Sequence, residues 1–185
     1  MPGAPDQSKA MYNKLLGDAG YAILPAIVRE LHEIGGVKIY SGEGAIERDP
    51  GFWTALLARI LGLPAATSCQ SIRVVFEEEA KAERWTRHFA GVRFVSRQWL
   101  AHGRLRERYK ALEMQHAVLP TPDGLHIRLA KARLFGLPLP RWLRPSVTAF
   151  ESTEGDYYHY DVCVRFPGRR RLFHYFGRLR QEGLP

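Results

Sequence analysis

A histidine and an aspartate near the end of the chain have the spacing of an acid–base site. His159 and Asp161 are two residues apart, so in a strand their side chains point to the same face and can converge on one ligand. Tyr157 and Cys163 share that face, and His174 belongs to the next strand-like run. A histidine beside a carboxylate and a phenol could carry out general acid–base catalysis.

The opposite face of the same run has the composition of a protein core. It carries Tyr158, Tyr160, Val162, Val164 and Phe166. In an antiparallel sheet with one buried face, the histidine face then meets solvent. A solvated polar face is therefore the favoured interpretation, and a small enzyme that uses the acid–base residues is the alternative.

A second candidate set is Trp85, Arg87 and Phe89, which alternate along one strand-like run. An arginine between two aromatic residues on an apolar face must be paired, must line a cavity, or must reach water at the strand end. If Ala90-Gly91 forms a hairpin turn, Arg97 lies nearby on the next strand. We predict that these four side chains bind a ligand, with an arginine receiving the carboxylate or phosphate head of an amphiphile. An arginine extended to water is the alternative.

Missing motifs exclude several classes of function. The sequence has no Gly-x-Ser-x-Gly nucleophile motif, no Cys-x-x-Cys pair and no Gly-x-Gly-x-x-Gly turn between a strand and a helix. We therefore expect no metal and no cofactor. The chain begins without a signal peptide, and no run approaches the roughly 20 apolar residues of a membrane helix. Together with only two cysteines, Cys69 and Cys163, this predicts a cytoplasmic protein with reduced thiols.

The net charge of +8 is carried mostly by arginine. Such a charge suits nucleic acid, anionic lipid or acidic ligands. The run Arg169–Arg171 lies between aromatic residues, as in platforms for single-stranded nucleic acid. No RNA-recognition motif or recognition helix accompanies it, and a charged hairpin turn after Pro167-Gly168 is the simpler interpretation. We expect nucleic acid not to be a partner.

Helical patterns occupy the first third of the chain, after a flexible leader at residues 1–7. Ser8 is predicted to cap a short helix that Gly17 ends. Pro25 is predicted to begin a second helix that ends at Gly35-Gly36. Both helices carry one apolar stripe, which predicts that they pack against a core.

A strand and a third helix follow. Val37–Arg48 is predicted to be one extended strand or a hairpin bent at Gly42 or Gly44. Asp49-Pro50 is predicted to cap and begin the third helix, which has a wide apolar face and ends at Gly62.

From Ser71 onwards the period of the apolar residues changes from 3.6 to 2. About eight or nine short alternating runs, separated by turn residues, predict an antiparallel meander. Curling into a barrel or half-barrel would remove the exposed edges of so many strands. The predicted fold is α+β, mainly β, with N-terminal helices that cover a mouth or a face of a curved antiparallel sheet.

Two stretches of the chain echo each other. Leu61–Pro64 and Phe135–Pro138 both contain Gly-Leu-Pro, and three strand-like runs follow each. We predict one domain over residues 8–182, with an internal pseudo-repeat of 58–100 and 132–180 whose three-stranded units superpose. Turn chemistry that arose twice independently is the alternative.

Three segments carry a resemblance to a known family. They are E-R-W-T-R-H-F-A-G-V-R-F-V-S-R at 83–97, L-F-G-L-P-L-P-R-W-L-R-P at 134–145, and D-V-C-V-R-F-P-G with L-F-H-Y-F-G-R-L at 161–179. With them the chain resembles a bacterial family described only as domain of unknown function 4166, from about Met11 to Leu179. The resemblance implies no activity, cofactor or catalytic residue. It implies that such a domain stands alone or follows a dehydrogenase-like nucleotide-binding domain.

The curled sheet leads to the functional hypothesis. Barrels with helices at one mouth commonly enclose an apolar cavity, so we predict a non-enzymatic binder of an amphiphilic or apolar small ligand. A module that docks a partner protein is the second hypothesis, and the small enzyme is the third.

Overall fold

The structure is a computed structural model that describes residues 10–166 and 170–183. Its helices are α1 (Met11–Ala22), α2 (Ala26–His32) and α3 (Phe52–Leu61). Its strands are β1 (Val37–Glu47), β2 (Thr67–Glu79), β3 (Ala82–Phe89), β4 (Val92–Ala101), β5 (Arg104–Tyr109), β6 (Leu112–Thr121), β7 (Gly124–Leu134), β8 (Leu137–Pro138), β9 (Ser146–Glu154), β10 (Tyr157–Arg165) and β11 (Arg171–Gln181). The predicted leader, the Ser8 cap and the Pro167-Gly168 turn lie outside the described residues.

The first helix consists of two segments that meet at a kink at Gly17. Gly17 takes the positive φ of 71° that a helix end would use. The chain nevertheless resumes a helical course beyond this kink and ends at Ala22. The prediction that Gly17 ends the first helical segment is therefore confirmed, and the second segment, which ends at Ala22, is the part that the sequence did not predict.

The third helix begins slightly later than predicted. Its N-cap is Gly51, and Gly62 closes its other end in the left-handed conformation with φ of 66°. Asp49 does not cap the helix. Its carboxylate accepts hydrogen bonds from the backbone nitrogen and the guanidinium of Arg171, at 2.8 and 3.0 Å. The side chain is thus used to attach the β1–α3 connection to β11.

Ten of the strands form a closed antiparallel barrel, which confirms the predicted fold class. β1 pairs with β2, which follows it after α3, and the strands from β2 to β7 pair in succession as hairpins. β9, β10 and β11 continue the meander. The two-residue strand β8 pairs only with the end of β7.

The barrel closes between β1 and β11, where Tyr40 pairs with Gln181 and Glu47 with His174. β1 is one continuous strand, so its glycines do not form a turn. A Cβ atom on Gly42 would lie 2.0 Å from the carbonyl oxygen of Arg178, in the neighbouring strand β11. Glycine is needed there because the two backbones approach closely.

Because consecutive strands alternate in direction, the connections divide between two ends of the barrel. The α1–α2 end has the short β2–β3, β4–β5, β6–β7 and β9–β10 turns, and α1 and α2 pack there on β4, β6, β9 and β10. The opposite end, called the α3 end below, has α3, the β3–β4 and β5–β6 turns and the β7–β9 connection. No helix within residues 10–166 and 170–183 is long and apolar enough to cross a membrane.

The two halves of the sequence echo correspond to two strand triplets. β2–β3–β4 and β9–β10–β11 are both consecutive antiparallel meanders with the same order and direction. α3 precedes the first triplet, whereas β8 precedes the second. Superposition of the two units stays a prediction.

Candidate functional site

The interior of the barrel contains a cavity of about 160 Å³. Most of its wall is aliphatic or aromatic, and the polar side chains in the wall are Arg87, Gln98, Glu107, Tyr109, His116, Glu151, Tyr158, Tyr160 and Tyr175. An apolar cavity with a few convergent polar groups is the usual form of a small-molecule site.

Arg87 is the most unusual group in this wall. Its residue is only 8% exposed, and its Nη1 donates a hydrogen bond to Ser96 Oγ at 3.0 Å. Its guanidinium carbon lies 5.0 Å from the ring centre of Trp85 and 5.7 Å from that of Phe94. Among the described residues, no carboxylate oxygen lies within 4.0 Å of it. A guanidinium has five N–H donors, so a buried cation here has donors to spare.

The structure brings three of the four predicted ligand-binding residues together. Trp85, Arg87 and Phe89 all line the cavity. Arg97 does not join them, because it lies on the outer face of β4. Its Nε is 2.6 Å from Glu79 Oε2, with which it forms an ion pair. Ser96 precedes it and faces inward, so the alternation of a strand places Arg97 on the opposite face.

A histidine–glutamate pair lies close to Arg87. His116 Nε2 is 3.0 Å from Glu107 Oε2. Burial alone would raise the pKa of Glu107, but the hydrogen bond and charge of His116 and the charge of Arg87 outweigh it and lower that pKa to about 2. The Glu107 carboxylate is therefore ionised, and a negative charge is held beside His116 on this side of the cavity.

Stability at acid pH is expected to depend on Glu107. Its pKa falls from an ordinary 4.5 to about 2 on folding, so its contribution is present above about pH 4.5 and is lost as the pH falls towards 2. The shift corresponds to ~3 kcal/mol. Urea unfolding between pH 7 and pH 2 should show that Glu107→Gln loses less stability on acidification than the unmodified protein. Identical pH profiles would contradict this assignment.

A second histidine–glutamate pair lies where α2 covers the barrel. His32 Nε2 is 2.7 Å from Glu151 Oε2, and the His32 side chain is fully buried. Tyr12 of α1 stacks on the His32 ring and donates a hydrogen bond to Gln98 Oε1 at 2.9 Å. These contacts attach both N-terminal helices to the barrel and close this end of the cavity.

Three tyrosines form the wall on β10 and β11. Burial raises the pKa of Tyr158, Tyr160 and Tyr175, whereas the positive charge of Arg87 acts in the opposite direction on each. The phenols therefore stay neutral and able to donate. The Tyr160 hydroxyl is buried without a hydrogen-bond partner among the described residues, and such an atom is costly to leave unpaired.

The acid–base candidates lie on the outer wall of the barrel. His174 Nε2 is 3.1 Å from Asp161 Oδ1, and its Nδ1 is 3.3 Å from Glu47 Oε2. His159 Nε2 is 3.5 Å from Glu154 Oε2. The guanidinium carbon of Arg178 lies 5.0 Å from the ring centre of Tyr157. None of these four candidates lines the interior cavity. In the part of the chain that the structure describes, no group of side chains could hold a metal ion.

Sequence reasoning missed the interior acid–base pairs. Glu107 and His116 lie at inward positions of otherwise apolar alternating runs, and a polar residue at such a position was a usable signal. His32 and Glu151 are 119 residues apart. No local pattern connects them, because their contact depends on where α2 lies on the closed barrel.

One comparison with known proteins found a match. The model of the family described as Domain of unknown function (DUF4166) matches residues 24–179. Neither the curated proteins nor the solved structures gave a match.

Proposed function

The chain belongs to the family of domains of unknown function DUF4166, and we propose that it binds a small anionic amphiphile inside its barrel. The observation that carries this proposal is Arg87, a buried cation that lines the cavity and hydrogen-bonds only to a hydroxyl among the described residues. A buried charge without a direct ion pair is costly, and the ionised Glu107 acts on Arg87 only from beyond 4.0 Å. An anionic ligand group would offset that cost.

The neighbouring carboxylates support an external partner for Arg87. Glu107 and Glu151 each lie within hydrogen-bond distance of a histidine, at 3.0 and 2.7 Å. Both acids are thus in contact with a histidine and not with Arg87 itself. A planar carboxylate can accept two parallel hydrogen bonds from a guanidinium, and the tyrosine wall offers phenols as further donors.

The size of the cavity limits the apolar part of the ligand. A dry cavity of about 150 Å³ takes up benzene, and this cavity is about 160 Å³. We therefore propose an aromatic acid of one ring, or a short-chain acid, with its apolar part against Phe89, Leu105 and Phe173.

The composition of the wall supports binding rather than covalent catalysis. Among the described residues, the cavity lining includes no serine, threonine, cysteine or lysine. These are four of the residue types that form covalent intermediates, and the two carboxylates of the wall, Glu107 and Glu151, are each held by a histidine. We infer that the ligand is held and released unchanged. We also propose a cytoplasmic location for the protein.

Calorimetric titration with benzoate and with benzyl alcohol tests the proposal. The two compounds share one ring, but only benzoate is charged at pH 7. We expect benzoate to bind at least 10-fold more tightly, because a hydrogen bond to a charged group contributes about 1.5–3 kcal/mol. Absence of binding, or equal affinity for the two compounds, would contradict the proposed function.

A further inference from the structure

The outward face of α3 is apolar. Phe52, Trp53 and Ile60 are 73%, 71% and 64% exposed, whereas Thr54 and Ala58 on the opposite face are buried. The only charged residue of this helix is Arg59. A surface helix normally turns polar side chains to water, so this face has the composition of a surface that meets a partner.

A second apolar cluster lies beside α3. In the β7–β9 connection, Phe135 is 81% exposed, Leu137 73% and Trp142 71%. The β5–β6 turn joins the two clusters: Tyr109 Oη donates to the carbonyl of Leu61 at the end of α3. The carbonyl of Ala111 in the same turn accepts from the backbone nitrogen of Phe135 at 3.1 Å.

These residues lie at the same end of the barrel, and we call them together the apolar end face. Its members are Phe52, Trp53, Ile60, Phe135, Leu137 and Trp142. Clustered exposed apolar side chains of this kind mark interaction sites, whereas single exposed ones do not.

The charges around the apolar end face are almost all positive. The connections at the α3 end carry the basic residues Arg48, Arg59, Lys110, Arg141, Arg144 and Arg170. Within the described residues, none of these has a carboxylate oxygen within 4.0 Å. Asp49, the acidic residue of the β1–α3 connection, is neutralised by Arg171. Four of the six donate hydrogen bonds to backbone carbonyls, which do not neutralise their charge. The end therefore presents positive charge without carboxylate partners beside exposed tryptophan and phenylalanine.

We propose that the apolar end face docks on the surface of an anionic lipid bilayer. Tryptophan is enriched at membrane interfaces, apolar side chains enter the headgroup boundary, and arginines attract anionic headgroups. A second copy of this chain would bring like charges together. Ile60 and Leu137 have no ring on which a nucleic-acid base could stack. This inference is independent of any ligand in the cavity.

Vesicle flotation tests the apolar contribution. Vesicles of equal phosphatidylglycerol and phosphatidylcholine should bind the protein, and phosphatidylcholine vesicles should bind it at least 10-fold less. The double variant Trp53→Ser, Trp142→Ser should bind the anionic vesicles at least 10-fold less tightly. The matched control is Leu119→Ser, which removes a side chain that is 61% exposed near the α1–α2 end, and it should bind as the unmodified protein does.

The contribution of charge is tested separately. Arg59→Gln with Arg141→Gln should weaken binding by roughly 25-fold, at about fivefold for each charge removed near the surface. Lys81→Gln with Arg104→Gln, at the opposite end, should change it less than twofold. Circular dichroism and benzoate titration of each variant show that the fold and the cavity are intact, so a failure here is separable from a failure of the proposed function.

Three results would overturn the docking proposal. One is equal binding to neutral and anionic vesicles. Another is a concentration-dependent dimer that Trp53→Ser with Trp142→Ser abolishes, which would assign the face to self-association. The third is binding of a single-stranded oligonucleotide that competes with the vesicles and requires Arg59 and Arg141.

Discussion

Replacing Arg87 with leucine is expected to weaken benzoate binding by roughly 10- to 150-fold, because about 1.5–3 kcal/mol of charged hydrogen bonding is lost. The fold should persist. Arg87 makes no direct ion pair among the described residues, so its removal leaves every carboxylate with its contacting partner, although stacking of the guanidinium on Trp85 and its attraction for the Glu107 carboxylate are lost. Calorimetric titration gives the affinity, and thermal unfolding should give a Tm within a few degrees of the unmodified protein.

Arg97→Leu is the matched control for this experiment. It removes the same charge from the neighbouring strand, but from the outer face, where the Arg97 side chain is 59% exposed. Benzoate affinity should be unchanged. If Arg87→Leu bound benzoate as tightly as Arg97→Leu does, the cavity would not use Arg87 to hold an anion.

A large loss of stability is expected from Gly42→Ala. The new Cβ would lie 2.0 Å from the carbonyl oxygen of Arg178 and 3.0 Å from the Cα of Leu179. Both atoms belong to the backbone of β11, which is hydrogen-bonded on both sides and cannot move locally. Overpacking costs typically 1–3 kcal/mol, and we expect a loss of about 3 kcal/mol. Tm should then fall by roughly 6–12 °C for a chain of this size.

Gly35→Ala serves as the control, because an added Cβ at Gly35 meets no atom within 4 Å and its φ is not in the left-handed range. Its Tm should stay the same or rise slightly, since alanine restricts the unfolded chain. Differential scanning calorimetry of both variants makes the comparison. A Tm for Gly42→Ala equal to that of Gly35→Ala would show that the closing strands are not in tight contact.

Local patterns in the sequence were sufficient to predict the kinds of elements. The alternation after Ser71 predicted antiparallel strands, and the structure confirms them. Gly62 predicted the end of α3 through a left-handed cap. Such signals are local because side-chain direction repeats every two residues in a strand and every 3.6 in a helix.

Local sequence patterns were less informative where one pattern is compatible with two different structures. Gly17 adopts the backbone of a helix end, yet α1 continues beyond it. The sequence shows a wide apolar face on α3, and in the structure Phe52 and Trp53 of that face point to solvent. An apolar residue is compatible with a core and with an interaction surface, and only the position of the helix on the barrel separates these outcomes.

The sequence by itself determined the strand and helix pattern, the antiparallel meander and the common face of Trp85, Arg87 and Phe89. Only the tertiary structure decided that β1 pairs with β11, which closes the barrel and makes that face its interior. It also decided that His32 meets Glu151. The physical reason is that closure and helix docking join residues more than 100 positions apart, and the side-chain periodicity of one strand carries no information about which distant strand will pair with it.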